Sequence, residues 1–179
     1  MSEIDILGEL QPYFSDLYTD NDEEKINELY GVFQRDFFDN PFTVNDKNIK
    51  VKRFPYVNYL KDGLPEYFSG YYEKFVHIIT REVEGRLKIS PKQRKFKVDR
   101  ANRIHWIKPI LEHADDARIT NFTYEENDGT LRDYFWYKEK KFMVVLEEIN
   151  PDYHLITGFC VDNKNIAYYE KRFKGRVKT

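Results

Sequence analysis

Apolar side chains at Ile26, Leu29, Tyr30, Phe33 and Phe37 recur at spacings of three and four, the period of one helix face. Residues Thr19 to Glu24 supply a capping residue and an acidic first turn, and Asn40-Pro41 stops the run. A helix is therefore expected to about Asp39. From Phe42 to Phe54 the period changes to two: Phe42-Thr43-Val44, a polar turn at Asn45 to Asn48, then Ile49-Lys50-Val51-Lys52 predict a hairpin. Residues 55–74, with Pro55, Gly63, Pro65 and Gly70, read as loop. Phe75 to Arg81 is a short, β-branched apolar run that reads as a strand, and Gly85 to Lys97 reads as a basic, Pro-containing connecting loop.

A helix is expected over residues 99–113, and strands over 118–125, 131–138, 141–149 and 153–161. Asn127-Asp128-Gly129-Thr130 is a hairpin turn signal, Glu139-Lys140 a tight polar junction, and Asn150-Pro151-Asp152 joins the last two strands. A basic helix over 164–174 closes the chain. The pattern predicts an α+β fold, with a small antiparallel sheet packed against helices and an N-terminal helix and hairpin as an extension.

Composition narrows the function classes. The chain has 179 residues, 17% of them aromatic, enough to build a core. No run of 18 apolar residues is present, so no membrane span is expected. The first residues lack the basic-then-apolar pattern of a signal peptide, and Cys160 is the single cysteine, so the expectation is a cytoplasmic protein with a buried, inert thiol. Charge divides the chain: residues 1–70 hold 14 acidic and 7 basic side chains, whereas residues 71–179 hold 17 acidic and 22 basic. The basic second half suits an anionic partner, and the acidic first half could screen it or bind something else. Two solvated faces with a chance charge distribution would give the same counts. No Gly-rich phosphate loop, His-Glu-x-x-His, cysteine pair or nucleophile elbow occurs, so neither metal nor cofactor is expected.

The candidate chemistry is basic and aromatic. On a helical wheel for 99–113, Ile104, Ile107 and Leu111 define the apolar arc, with Ala101 and Ile110 at its edges; Arg100 falls between Ile107 and Leu111, and Arg103 between Ile110 and Ile107. Guanidiniums on that side must find a carboxylate or a cleft, and a cleft would suit a phosphate. His105 falls on the polar side with Glu112; Pro109 would kink the helix and re-aim it, which keeps His105 in reserve. On a strand, His77 and Arg81 share a face with Phe75 and Ile79, and a neutral imidazole beside a cation suits a general base; a packed core histidine fits equally well. Arg132, Tyr134 and Trp136 alternate onto one strand face, either to grip phosphate and base or as ordinary core. Thr157 is the hydroxyl among Tyr153, Leu155, Phe159 and Val161, and Gly158 beside it leaves room for close approach.

Residues 75–174 resemble the phage-associated barnase–EndoU–colicin–RelE-like (BECR) nuclease domains. The resemblance rests on His77-Ile78-Ile79-Thr80-Arg81, Arg100-x-x-Arg103-Ile104-x-Trp106-Ile107, Arg132-x-Tyr134, Phe142-Met143-Val144-Val145-Leu146 and Leu155-Ile156-Thr157-Gly158-Phe159. The family often has Ala-Tyr where this chain has Gly158-Phe159. The resemblance implies an endoribonuclease toxin of a toxin–antitoxin, phage or mobile-element system, cleaving RNA without metal by attack of the ribose 2′-hydroxyl on phosphate. It implies His77, Arg100, Arg103, Arg132 and Thr157 as catalytic, and Arg81, Tyr134, Trp136, Tyr169 and Lys171 as substrate-binding. The implied partners are RNA (tRNA, mRNA or ribosome-associated) and a cognate antitoxin or immunity protein, with the chain a monomer or homodimer. The alternatives are a non-catalytic RNA- or ribosome-binding module, or an accessory protein that acts by protein–protein contact.

Overall fold

A computed structural model of the chain describes residues 2–83 and 92–178. In chain order the elements are α1 (Glu23–Gln34), continued by a π-helical turn at Arg35–Asp39, β1 (Thr43–Val44), β2 (Lys47–Lys50), α2 (Tyr59–Asp62) and a 3-10 turn at Glu66–Gly70. Next come α3 (Glu73–Ile79), β3 (Thr80–Val83), β4 (Gln93–Phe96), α4 (Val98–Ala101), a 3-10 turn at Ile104–Trp106 and α5 (Ile107–Glu112). The chain ends with β5 (Ile119–Glu125), β6 (Leu131–Tyr137), β7 (Phe142–Ile149), β8 (Asp152–Cys160), a 3-10 turn at Asn163–Asn165 and α6 (Ile166–Lys174). The fold is α+β. No helix among the described residues is long and apolar enough to cross a membrane.

The chain forms two compact units: one of residues 1–10, 40–50 and 106–179, the other of 11–39 and 51–105. Both draw on residues from either side of the 74/75 boundary at which the family resemblance begins.

The first unit is built on a six-stranded sheet in the order β1-β2-β8-β7-β6-β5. Strands β5 to β8 form an antiparallel meander, but β2 joins β8 in parallel, Ile49 opposite Tyr153, so the sheet is mixed and the hairpin is part of it. Asn45 and Asp46, both at positive φ (51° and 64°), turn β1 into β2; short polar side chains tolerate that conformation best after glycine. Gly129 at φ 85° does the same between β5 and β6. One sheet face carries Phe122, Tyr134, Trp136, Met143, Val145, Phe159 and Val161, covered by Ile166, Tyr169 and Phe173 of α6. On the opposite face, Gly158 makes room for Ile107 of α5: a Cβ there would lie 2.7 Å from Ile107 Cδ1.

The N-terminal segment is tied to this unit. Arg118 holds Asp5 at 2.8 Å and Asp116 at 2.9 Å, and Lys140 donates to the carbonyls of Gly8 and Leu10. Hydrogen bonds from the Arg118 guanidinium hold the Asp5 and Asp116 carboxyls down at about 2. A carboxyl depressed below its unfolded value stabilises the fold above that value and loses the contribution as pH falls through the folded one. The window here is from about pH 4 to about pH 2, and solvent keeps the effect small. Asp5→Asn is therefore expected to flatten the dependence of Tm on pH across that window; superimposable profiles would rule the contact out as a contributor.

The second unit packs aromatics. Tyr30, Phe33, Tyr71 and Phe75 sit with ring centroids 4.6 to 5.5 Å apart for the touching pairs Tyr30–Tyr71, Tyr30–Phe75, Tyr71–Phe75 and Phe33–Phe75. Asp22 caps α1 by accepting from the Lys25 amide at 3.2 Å. Residues Glu73–Ile79 are helical, not a strand. Phe75, Val76, Ile78 and Ile79 are all buried, and this packing outweighs the β preference of the branched side chains. The strand begins only at Thr80, pairing with β4 as a hairpin where a loop was expected over 93–96; Gly85 to Pro91 of that expected loop lie outside the described residues.

The single helix expected over 99–113 is three short pieces. The Asn102 carbonyl accepts the Tyr13 amide at 2.8 Å, a bond that takes the place of the next helical one. The Asn102 side chain also clasps the Phe14 backbone, with both bonds at 2.7 Å. Pro109, which lacks the N–H that His105's carbonyl would need, sits in the first turn of α5, where a proline is tolerated.

Candidate functional site

The broken helix removes the wheel on which Arg100, Arg103 and His105 were placed. In the second unit these residues bond to backbone. The carbonyls at the end of α3 lack helical partners, and arginines take them: Arg94 donates to the His77 carbonyl at 3.2 Å and to the Thr80 hydroxyl at 2.8 Å, and Arg100 to the Thr80 carbonyl at 3.3 Å. Arg103 donates to the Asp99 carbonyl at 3.0 Å. His105 is half-buried, its Nε2 2.8 Å from the Gln11 carbonyl and its ring edge-on to Tyr13, so it is an anchor and not a solvated side chain. Burial pushes its pKa down.

His77 lies on α3 with Nδ1 3.9 Å from Glu73 Oε1; burial and then the Arg94 charge lower its pKa and favour the neutral ring. Arg81 is exposed on β3, opposite Lys95.

Of the remaining candidates, Arg132, Tyr134, Thr157 and Tyr169 come together in the first unit. A cavity of about 210 Å³ on the α6 face of the sheet is lined by Glu126, by Arg132 and Tyr134 of β6, Val145 of β7, Ile156, Thr157 and Phe159 of β8, and by Tyr168, Tyr169 and Arg172 of α6. Thr157 reaches it through a bulge. Leu146 pairs with Leu155 and Val145 with Thr157, so Ile156 is the extra residue in β8. The bulge moves Thr157 and Phe159 to the α6 face and leaves Tyr153 and Leu155 on the other, correcting the single face that alternation implied. Trp136 does not line the cavity: it is 2% exposed in the core, edge-on to Tyr169 at 6.3 Å. Lys171 is exposed on α6.

Arg172 and Arg132 share the cavity but differ in attachment. Arg172 donates to Glu126 at 2.7 Å, to the Tyr134 hydroxyl at 2.9 Å and to the Tyr168 hydroxyl, and it lies over the Tyr124 and Tyr168 rings. Burial opposes its charge, but the bonds to Glu126 and Tyr168 more than offset this and raise its pKa. Tyr134 donates to Glu126; burial first, then that bond, hold its phenol protonated well above the usual range. Arg132 makes no hydrogen bond or ion pair among the described residues, and its Nε is sealed from solvent without a partner. An unmet buried donor typically costs about 1–3 kcal/mol, more when charged. A planar cation kept at that cost beside a hydroxyl and three phenols is suited to an oxyanion.

Sequence reasoning missed Glu126, Tyr168 and Arg172. Their only signal was position: Tyr168 and Arg172 are four apart on the last helix and so share a face, and Glu126 begins the hairpin turn. A larger cavity of about 420 Å³ is lined by Asn45, Asn121, Asp133, Glu148, Tyr153 and Arg176 among others; two carboxylates against one guanidinium disfavour a phosphate.

No protein-family model matches this chain, and no curated protein or solved structure was found to be similar to it.

Proposed function

We propose that the α6-face cavity binds a phosphodiester of RNA and that the protein is an endoribonuclease acting without metal. The observation that carries this reading is Arg132, a guanidinium with no hydrogen bond or ion pair among the described residues, lining a cavity with Thr157, Tyr134, Tyr168 and Tyr169. Arg132 takes the nonbridging phosphate oxygens and the charge that grows on them, and the Thr157 hydroxyl donates to one of them. Glu126 accepts the proton of the ribose 2′-hydroxyl, whose oxygen forms a bond to phosphorus as the bond to O5′ breaks. Tyr134, kept protonated by burial, gives its proton to the departing O5′ and regains one through its hydrogen bond to Glu126. The products are a 2′,3′-cyclic phosphate and a 5′-hydroxyl.

In this assignment His77, Arg100 and Arg103 act within their own unit, and Arg132, Tyr134 and Thr157 carry the chemistry. A non-catalytic RNA-binding module is the second reading, favoured by one feature: Glu126 is already engaged by Arg172 and Tyr134. Incubating the protein with a labelled RNA in EDTA decides between them. Cleavage leaving 2′,3′-cyclic phosphate ends supports the nuclease; binding with intact RNA supports the module. Expression in a bacterial host is expected to arrest growth, with a cognate antitoxin as the neutralising partner, and arrest that persists in Arg132→Ala would end the assignment.

A further inference from the structure

Tyr168 is the exposed member of the cavity wall. It is 52% exposed, whereas Tyr169 beside it is packed against Trp136 and Phe159. Isolated exposed aromatics are common and need no explanation. Tyr168 differs in being fixed at several points. Its hydroxyl accepts from Arg172, the same guanidinium lies 4.8 Å from its ring centroid, and its ring meets Tyr169 edge-on at 4.9 Å. A pinned, half-open ring beside a cationic cavity has lost its conformational freedom before any ligand arrives, so little entropy remains to be lost on binding.

Resting on the phosphate-binding reading above, we propose that Tyr168 is the platform on which an unpaired base of the RNA stacks, and that the site therefore selects single-stranded RNA. Within a duplex both faces of each base are covered by neighbours, and only a splayed base offers a face to a side chain. Every base has such a face, so stacking alone confers strandedness and not sequence. Arg172 is then a positioning residue: it holds the ring and carries the Glu126 contact, and it leaves the phosphate to Arg132.

The test is fluorescence anisotropy at fixed salt with the full chain and a labelled eight-nucleotide RNA, 2′-O-methylated to block cleavage. The RNA is used single-stranded, annealed to its complement, and with one abasic position moved along it. Wild type is expected to bind the single strand at least ten-fold more tightly than the duplex, and to lose about ten-fold or more at one abasic position. Tyr168→Phe, which keeps the ring, retains most of the affinity. Tyr168→Ala loses roughly ten- to hundred-fold and no longer distinguishes abasic from intact RNA, a change that a merely structural role would not produce. Equal affinity for single strand and duplex, or an abasic penalty unchanged in Tyr168→Ala, overturns the platform. In either of those cases, lost binding in Arg132→Ala shows that the phosphate site still stands. If Arg132→Ala and Tyr168→Ala both bind like wild type, the phosphate reading itself has failed.

Discussion

Arg132→Ala is expected to lower the rate of RNA cleavage by about a hundred-fold or more, the usual consequence of removing a preorganised charge from a developing oxyanion. The same substitution should leave the urea midpoint unchanged or raise it. In the wild-type protein Arg132 makes no bond among the described residues, and its Nε is a buried donor without a partner. Deleting such a group relieves a desolvation cost and removes no hydrogen bond or ion pair among the described residues. Lysine at this position keeps the charge but not the planar fork, so Arg132→Lys should recover only part of the rate. A variant that loses activity and stability together would mark Arg132 as structural.

Trp136→Ala has the opposite signature. Trp136 is buried at the centre of the α6-face core, with Tyr169 edge-on and the Lys138 ammonium 4.8 Å from its ring. Removing a buried indole typically costs about 3–5 kcal/mol, because the lost transfer energy adds to the cavity left behind. Urea denaturation should show that loss as a lower midpoint, and Trp136→Phe should be milder. An unchanged midpoint with weakened RNA binding would place Trp136 at the substrate and not in the core.

The strands from 118 to 161 were legible because their alternation is strong and their turns carry Asn, Asp, Gly and Pro. So was the first helix, where cap, acidic turn and apolar period agree. Phe75 to Arg81 misled because a short apolar run has no period that separates strand from buried helix; the aromatic packing decided it. The wheel over 99–113 failed for a non-local reason, since the Asn102 contacts with Tyr13 and Phe14 span nearly ninety residues of chain. Of the site, Arg132, Tyr134 and Thr157 were visible, although Thr157 reaches the cavity through a bulge that strict alternation hides. Glu126, Tyr168 and Arg172 were not, because their roles arise from the approach of α6 to the β5–β6 hairpin, a tertiary fact with no local pattern.

The most direct measurement is a titration of the isotopically labelled protein with single-stranded, 2′-O-methylated RNA, following the arginine side-chain N–H resonances by NMR, each assigned with its lysine variant. The Arg132 resonances are expected to shift in proportion to bound RNA while those of Arg100 and Arg103 stay in place. Stationary Arg132 signals, with shifts confined to Arg100 and Arg103, would contradict Arg132 as the phosphate-binding residue.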